Sequence, residues 1–172
     1  MSNSQFVHLV ARANDPRVPL HLYEIASLLW PRLRRTFPDA LAAVLMPNHL
    51  HLVTETTDPP RSRDLLAHVV GNLSRSGLRW GVDSWQPIPP ADVIADLEKL
   101  LRVLRYGALN PVRAGLVADP LLWPWSTLRD VMGAVVDPWI DGDRLARVLN
   151  RDPRTFATWW HRYVSTDSSA TA

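Results

Sequence analysis

The 172-residue chain contains no cysteine. That absence excludes disulfides, thiolate metal sites and cysteine nucleophiles, and it leaves histidine, carboxylates and amides as the protein ligands for any cation. Lysine is nearly absent too: of 19 basic residues, Lys99 is the one lysine and the rest are arginine. No stretch approaches the roughly 18 consecutive apolar residues of a membrane helix. Met1-Ser2-Asn3-Ser4-Gln5 lacks the charged start and apolar middle of a signal peptide. A cytoplasmic protein with no membrane partner is the expectation.

A chain of this length is expected to form one domain, or one domain with a small appendage, and to bury about two-thirds of its unfolded surface. The formal net charge is only +2. Arginine forks match phosphate oxygens bidentately and stay charged, so the arginine skew permits a nucleic-acid partner. A genome whose base composition favours arginine explains the same skew.

Periodicity gives the order of elements. Phe6-Val7-His8-Leu9-Val10-Ala11-Arg12 is rich in β-formers and ends at the turn signal Asn14-Asp15-Pro16, which predicts a first strand. Over 20–37, Leu22, Ile25, Ala26, Leu29 and Leu33 recur at three and four, as in a helix. Pro31 within it predicts a kink or an early stop. Residues 40–46 and 50–55 read as a hairpin bent at Pro47-Asn48. A second helix follows Asp58-Pro59-Pro60, with Leu65, Leu66, Val69, Val70 and Leu73 on its stripe and Ser62 or Asp64 as caps. A short edge strand is expected near Ser84-Trp85-Gln86, ahead of Pro87, Pro89 and Pro90. The third helix is expected from Pro90 or Asp92 to Asn110, with Val93, Ile94, Leu97, Leu100, Leu101, Leu104 and Ala108 apolar, stopping before Pro111.

Strand, helix, strand, strand, helix, strand is the order of the split βαβ or ferredoxin-like unit. The expected class is α+β, an antiparallel sheet with helices on one face and the other face open. Downstream, Trp123-Pro124-Trp125-Ser126 and Asp137-Pro138-Trp139 read as anchors, 141–163 as one or two short helices, and 165–172 as a disordered polar tail.

Side chains alternate faces along a strand, so His49 and His51 project together while Leu50 and Leu52 point to the other side. Two imidazoles so placed can share one cation, or be packed or surface histidines without one. Tyr106 and Asn110 are four apart on a helix, on one face and about 6 Å apart in rise. The amide oxygen can complete a cation's protein ligands while the phenol points at what the cation holds. Two imidazoles and an amide leave coordination positions open, which suits Mg²⁺ or Mn²⁺ on a phosphate oxygen. A packed ring with a capping asparagine accounts for the same spacing.

Met46-Pro47-Asn48-His49-Leu50-His51-Leu52-Val53 resembles the His-hydrophobic-His motif of the HUH single-strand endonucleases, in the form carried by the REP-associated tyrosine transposases. Tyr106-Gly107-Ala108-Leu109-Asn110-Pro111-Val112-Arg113-Ala114-Gly115-Leu116-Val117 resembles that family's tyrosine segment, and Trp123-Pro124-Trp125-Ser126-Thr127-Leu128 the motif that follows it. The resemblance extends over about 5–165. It implies a transposase-like, metal-dependent tyrosine endonuclease and strand transferase acting on single-stranded or hairpin DNA through a 5′-phosphotyrosine. Tyr106 is then the nucleophile, His49 and His51 are metal ligands, and Asn110 is the third ligand. The implied division is an HUH-type domain over 1–117, a helical extension packed on it over 118–164, and the tail. Arg12, Arg75, Arg79, Arg105 and Arg113 are the candidate phosphate contacts. Relatives act as monomers or as dimers that exchange the tyrosine helix, and both states stay open.

The chain departs from the family pattern in two places. Gly107-Ala108 stands where relatives commonly have Ile-His, and a glycine there loosens the helix by about 1 kcal/mol. Trp85-Gln86-Pro87-Ile88-Pro89-Pro90 replaces a run with a further arginine. Two other readings compete with catalysis by Tyr106. One is a domesticated, non-catalytic binder of nucleic-acid hairpins. The other is a metallohydrolase with Glu55 as the nearest base. Tyr23, at the edge of the first helix's apolar stripe, and Tyr163, beside Trp159 and Trp160, are both expected to be packed.

Overall fold

Alternation along the strands sorts the sheet into two faces. The computed structural model describes residues 4–15, 20–73 and 84–165. In β1, Gln5–Arg12, the side chains of Val7, Leu9 and Ala11 are buried, which turns Phe6, His8, Val10 and Arg12 to the opposite face. β2, Ala40–Leu45, and β3, His49–Thr56, form the expected hairpin, with Leu45 opposite Leu50 and Val44 opposite His51. The bend is tied to the rest of the chain: the carbonyls of Pro47 and Asn48 accept from the N–H groups of Leu20 and Ala13 at 2.7 and 2.8 Å. With β4, Asp92–Ile94, the sheet runs β2-β3-β1-β4 and every neighbouring pair is antiparallel. This is the ferredoxin-like order.

The last strand lies later than its expected place. Around Ser84-Trp85-Gln86 a single bridge, Ala13 to Trp85, is formed. Strand β4 uses Val93 and Ile94, which the apolar spacing assigns to the third helix. Pro87, Pro89 and Pro90 cannot donate to a ladder, so regular pairing waits until they are passed. Asp96 then accepts from the Lys99 N–H at 2.7 Å and starts α3, Leu97–Arg113.

Neither internal proline stops its helix. α1, Tyr23–Thr36, runs through Pro31, and α3 runs through Pro111. The stop in α3 is Gly115, whose φ of 70° is the left-handed conformation that glycine adopts without strain. Gly115 N–H bonds the Val112 carbonyl and Leu116 N–H the Pro111 carbonyl, both at 2.9 Å, which is the Schellman closure. α2, Pro59–Gly71, is capped by Asp58, which accepts from the Arg61 N–H at 3.0 Å, and not by Ser62 or Asp64. Leu66, Val69 and Val70 are buried, whereas Leu65 is exposed.

α1 and α2 cover the face that carries Val7, Leu9, Leu50 and Leu52. The second face is not left bare. α3 crosses it over β2 and β4, because its stripe of Leu100, Leu104 and Ala108 needs a partner to bury against. A 3-10 turn at Pro120–Leu122 and three further α-helices complete the described chain: α4, Leu128–Val131, α5, Gly142–Val148, and α6, Pro153–Ser165, the last packed on α5 and α3.

The tryptophan anchors are specific. Trp123, Trp125 and Trp139 donate their indole N–H to the carbonyls of Leu45, His21 and Phe37 at 2.9, 2.8 and 3.0 Å. The segment from Trp123 to Thr127 runs along the outer edge of β2: Leu45 N–H bonds the Trp125 carbonyl at 2.9 Å and Thr127 N–H the Ala43 carbonyl at 3.0 Å. An otherwise open sheet edge is thereby covered. The expected tail beyond 165 lies outside the described residues. Among the described residues, no helix is long and apolar enough to cross a membrane.

Candidate active site

Two periodicities meet over β3. His49 and His51 alternate with Leu50 and Leu52, which are 1 % and 0 % exposed, so both imidazoles face α3. On α3, Tyr106 lies beside the buried stripe and above His51. The two rings meet edge to face, with centroids 5.9 Å apart at 89°. The rings of His49 and His51 are 4.9 Å apart at 87°. Tyr106 is 47 % exposed and therefore open to a substrate. The Arg113 guanidinium lies 5.4 Å from the centre of its ring.

Both imidazoles are neutral at physiological pH. Burial, and then the charge of Arg12, lowers His49 to about 4. Burial, followed by His8, His49 and Arg12, lowers His51 to about 3. A neutral imidazole keeps a lone pair for a cation. At His49 the free nitrogen is identified, because Nδ1 lies 2.7 Å from the Asn48 side-chain oxygen. An oxygen of that kind only accepts, so the proton is on Nδ1 and Nε2 is bare.

Asn110 is one turn beyond Tyr106 and 7 % exposed. Its side-chain nitrogen is buried without a hydrogen-bond partner. A buried amide nitrogen without an acceptor is costly. Among the described residues no group of three or more histidines and carboxylates converges on a metal position. Two neutral imidazoles are ligands of the kind a divalent cation takes, whereas an amide binds one through its oxygen and not through the unpaired nitrogen.

A third histidine, absent from the sequence-based site, completes the cluster. His8 Nε2 lies 2.9 Å from His51 Nδ1, with the ring centroids 5.1 Å apart and the ring planes within 19° of each other. Burial lowers its pKa, Asp92 opposes that shift and Lys99 adds to it. The alternation of buried Val7, Leu9 and Ala11 is the signal that turns His8 to the histidine face. The register then brings it diagonal to His51, which pairs with Val10. A small cavity of about 30 Å³ beneath, lined by His8, His51, Gly107 and Thr127, has room for one water.

The remaining candidates divide. Arg12 is the cross-strand partner of His49 and stands at the site. Arg105 points to α6: its Nε donates to the Tyr163 carbonyl at 2.9 Å, and its guanidinium lies over the Tyr163 ring. Arg75 and Arg79 lie outside the described residues. Tyr163 is stacked on Trp159 at 5.3 Å, as packing predicts. Tyr23 is not packed as expected. As the first residue of α1 it is 74 % exposed, and its ring neighbour is Trp125 at 6.5 Å. Glu55 is committed elsewhere, with the Arg144 guanidinium at 2.6 Å on one oxygen and the Ser4 hydroxyl on the other. It also lies about 13 Å along the strand from His51.

Neither a protein-family model nor a curated protein matches the chain. Among solved structures it is similar to a REP-associated tyrosine transposase bound to a REP hairpin, with a TM-score of 0.61 and 21 % identity over 78 % of this chain and 83 % of that one. At that identity the likeness establishes the shared fold.

Proposed function

We propose that the protein is a metal-dependent tyrosine endonuclease and strand transferase acting on single-stranded or hairpin DNA. The observation that carries this reading is the contact between Tyr106 and His51, beside His49. Two motifs far apart in sequence meet at one place, and the phenol is exposed there. The similar structure, which binds a REP hairpin, favours hairpin DNA as the substrate.

His49 Nε2, His51 and the Asn110 amide would hold a divalent cation, which when bound draws charge from a phosphate oxygen and aligns the scissile bond. Arg12 and Arg113 stand on either side to meet phosphates. Tyr106 Oη gives up its proton to solvent and attacks phosphorus in line. An O–P bond forms as the P–O3′ bond breaks, and the departing 3′ oxygen takes a proton. A 5′-phosphotyrosine and a free 3′-hydroxyl result. The ester retains the bond energy, so a second 3′-hydroxyl can displace Tyr106 and rejoin the strand.

The metallohydrolase reading is disfavoured because both oxygens of Glu55, its nearest candidate base, are engaged. The non-catalytic hairpin binder uses the same surface without attack. Labelled hairpin and single-stranded oligonucleotides incubated with the protein and Mg²⁺ or Mn²⁺ separate the three. The expected result is a covalent protein–DNA adduct on a denaturing gel that disappears in Tyr106→Phe. Cleavage without an adduct, or binding alone, overturns the proposal.

A further inference from the structure

His49 and His51 are both held through Nδ1, by different partners. At His49 the partner is the Asn48 oxygen, which places the proton on Nδ1 and leaves Nε2 bare. At His51 the partner is another imidazole, His8, and the 2.9 Å contact between His8 Nε2 and His51 Nδ1 contains one proton. It can be arranged in two ways. If His8 donates, the proton of His51 is on Nε2, and no cation can bind there. If His51 donates, its Nε2 is bare and matches Nε2 of His49.

We propose that His8 is a positioning residue: its Nε2 accepts the Nδ1–H of His51 and so presents His51 Nε2, beside that of His49, as a cation ligand. This rests on the proposed metal site and adds the residue that fixes its second imidazole. Two features of the fold hold His8 to that task. The β1–β3 register sets it diagonal to His51. The ring planes lie within 19° of each other, as a bond through in-plane lone pairs needs. Accepting at Nε2 requires its own proton on Nδ1. A second layer of this kind, which fixes the tautomer of a ligating histidine, typically changes metal affinity by about 10–100-fold.

The test uses the full chain with His8→Leu, which removes the acceptor, and His8→Gln, whose side-chain oxygen can replace it. Long-range ¹H–¹⁵N NMR of the metal-free wild type at neutral pH is expected to show His51 protonated on Nδ1, and His8→Leu to lose that preference. Titration with Mn²⁺ alone, followed by calorimetry, should be about 10–100-fold weaker for His8→Leu and within a few-fold of wild type for His8→Gln. Thermal melts check that both variants are folded. A wild-type His51 protonated on Nε2 overturns the proposal, as does a folded His8→Leu that binds Mn²⁺ like wild type or a folded His8→Gln as weak as His8→Leu. A wild type that binds no Mn²⁺ rejects the metal site itself, and the tautomer measurement still decides what His8 does.

Discussion

Leu50 and Leu52 lie on one face of β3 and His49 and His51 on the other, and the two faces are finished differently. Beneath the leucines, α1 and α2 contribute Leu29, Leu33 and Leu66, all within 1 % of full burial, and the buried polar side chains are the small hydroxyls of Thr54 and Ser62. Beneath α3, imidazoles contact one another, a buried amide nitrogen lacks a partner, and a water-sized cavity remains. One strand thus places apolar side chains at two of its even positions and imidazoles at two of its odd ones. Polar groups left unsatisfied on the histidine face are groups that a ligand bound there could satisfy.

The contrast is broken most severely by exchanging the roles of the two faces. Leu52→Ala should cost about 2–5 kcal/mol of stability in chemical denaturation. His49→Gln should cost under about 1 kcal/mol, as for a substitution outside the packed core, while abolishing the DNA adduct. Equal destabilisation by the two would make the histidines structural.

A second contrast lies in pH. His49 and His51 titrate at about 4 and about 3 in the folded protein, against 6.5 as the ordinary value. The unfolded chain therefore binds more protons below 6.5, so the stability these groups contribute is fully present above 6.5 and is lost as pH falls through the folded values. Denaturation of the metal-free protein at stepped pH should show this loss, and His49→Gln should make it shallower. A profile unaffected by that substitution would place the titration elsewhere.

A smaller effect is expected at the β2 edge. Trp123→Phe leaves the Leu45 carbonyl without its indole donor and should lower stability by about 1–3 kcal/mol. Smallest is Gly107→Ala. A Cβ there meets Val44 at an ordinary 3.9 Å, so the variant should gain about 1 kcal/mol from helix propensity. A loss instead would show that the turn between Tyr106 and Pro111 needs the glycine.

The strands that carry the histidines were legible because period two and the Pro47-Asn48 bend are local signals. His49, His51 and Tyr106 could be chosen from motifs, and alternation gave the orientation of the first two. His8 was not legible in that way. It is a lone histidine in a strand, and only the pairing of β1 with β3 brings it to His51. The ends of α3 failed for opposite reasons. Val93 and Ile94 fit a helical stripe as well as a strand, and tertiary pairing with β1 decided between them. Pro111 looked like a stop, whereas the closing signal was Gly115, four residues later, in the left-handed conformation. Tyr23 was misjudged because the apolar stripe of α1 begins only after it.

The strip from Trp123 to Thr127 also fastens the chain on the far side of the tyrosine helix. α3 ends at Arg113, and a short way on the chain is bonded to Ala43 and Leu45. At its other end the helix follows directly on β4, which is zipped to β1. Trading this helix between two copies would mean either peeling the strip from β2 or spanning the gap with the few residues between. Within one chain the helix is therefore tied to the sheet on both sides, through β4 before it and through the strip on β2 after it.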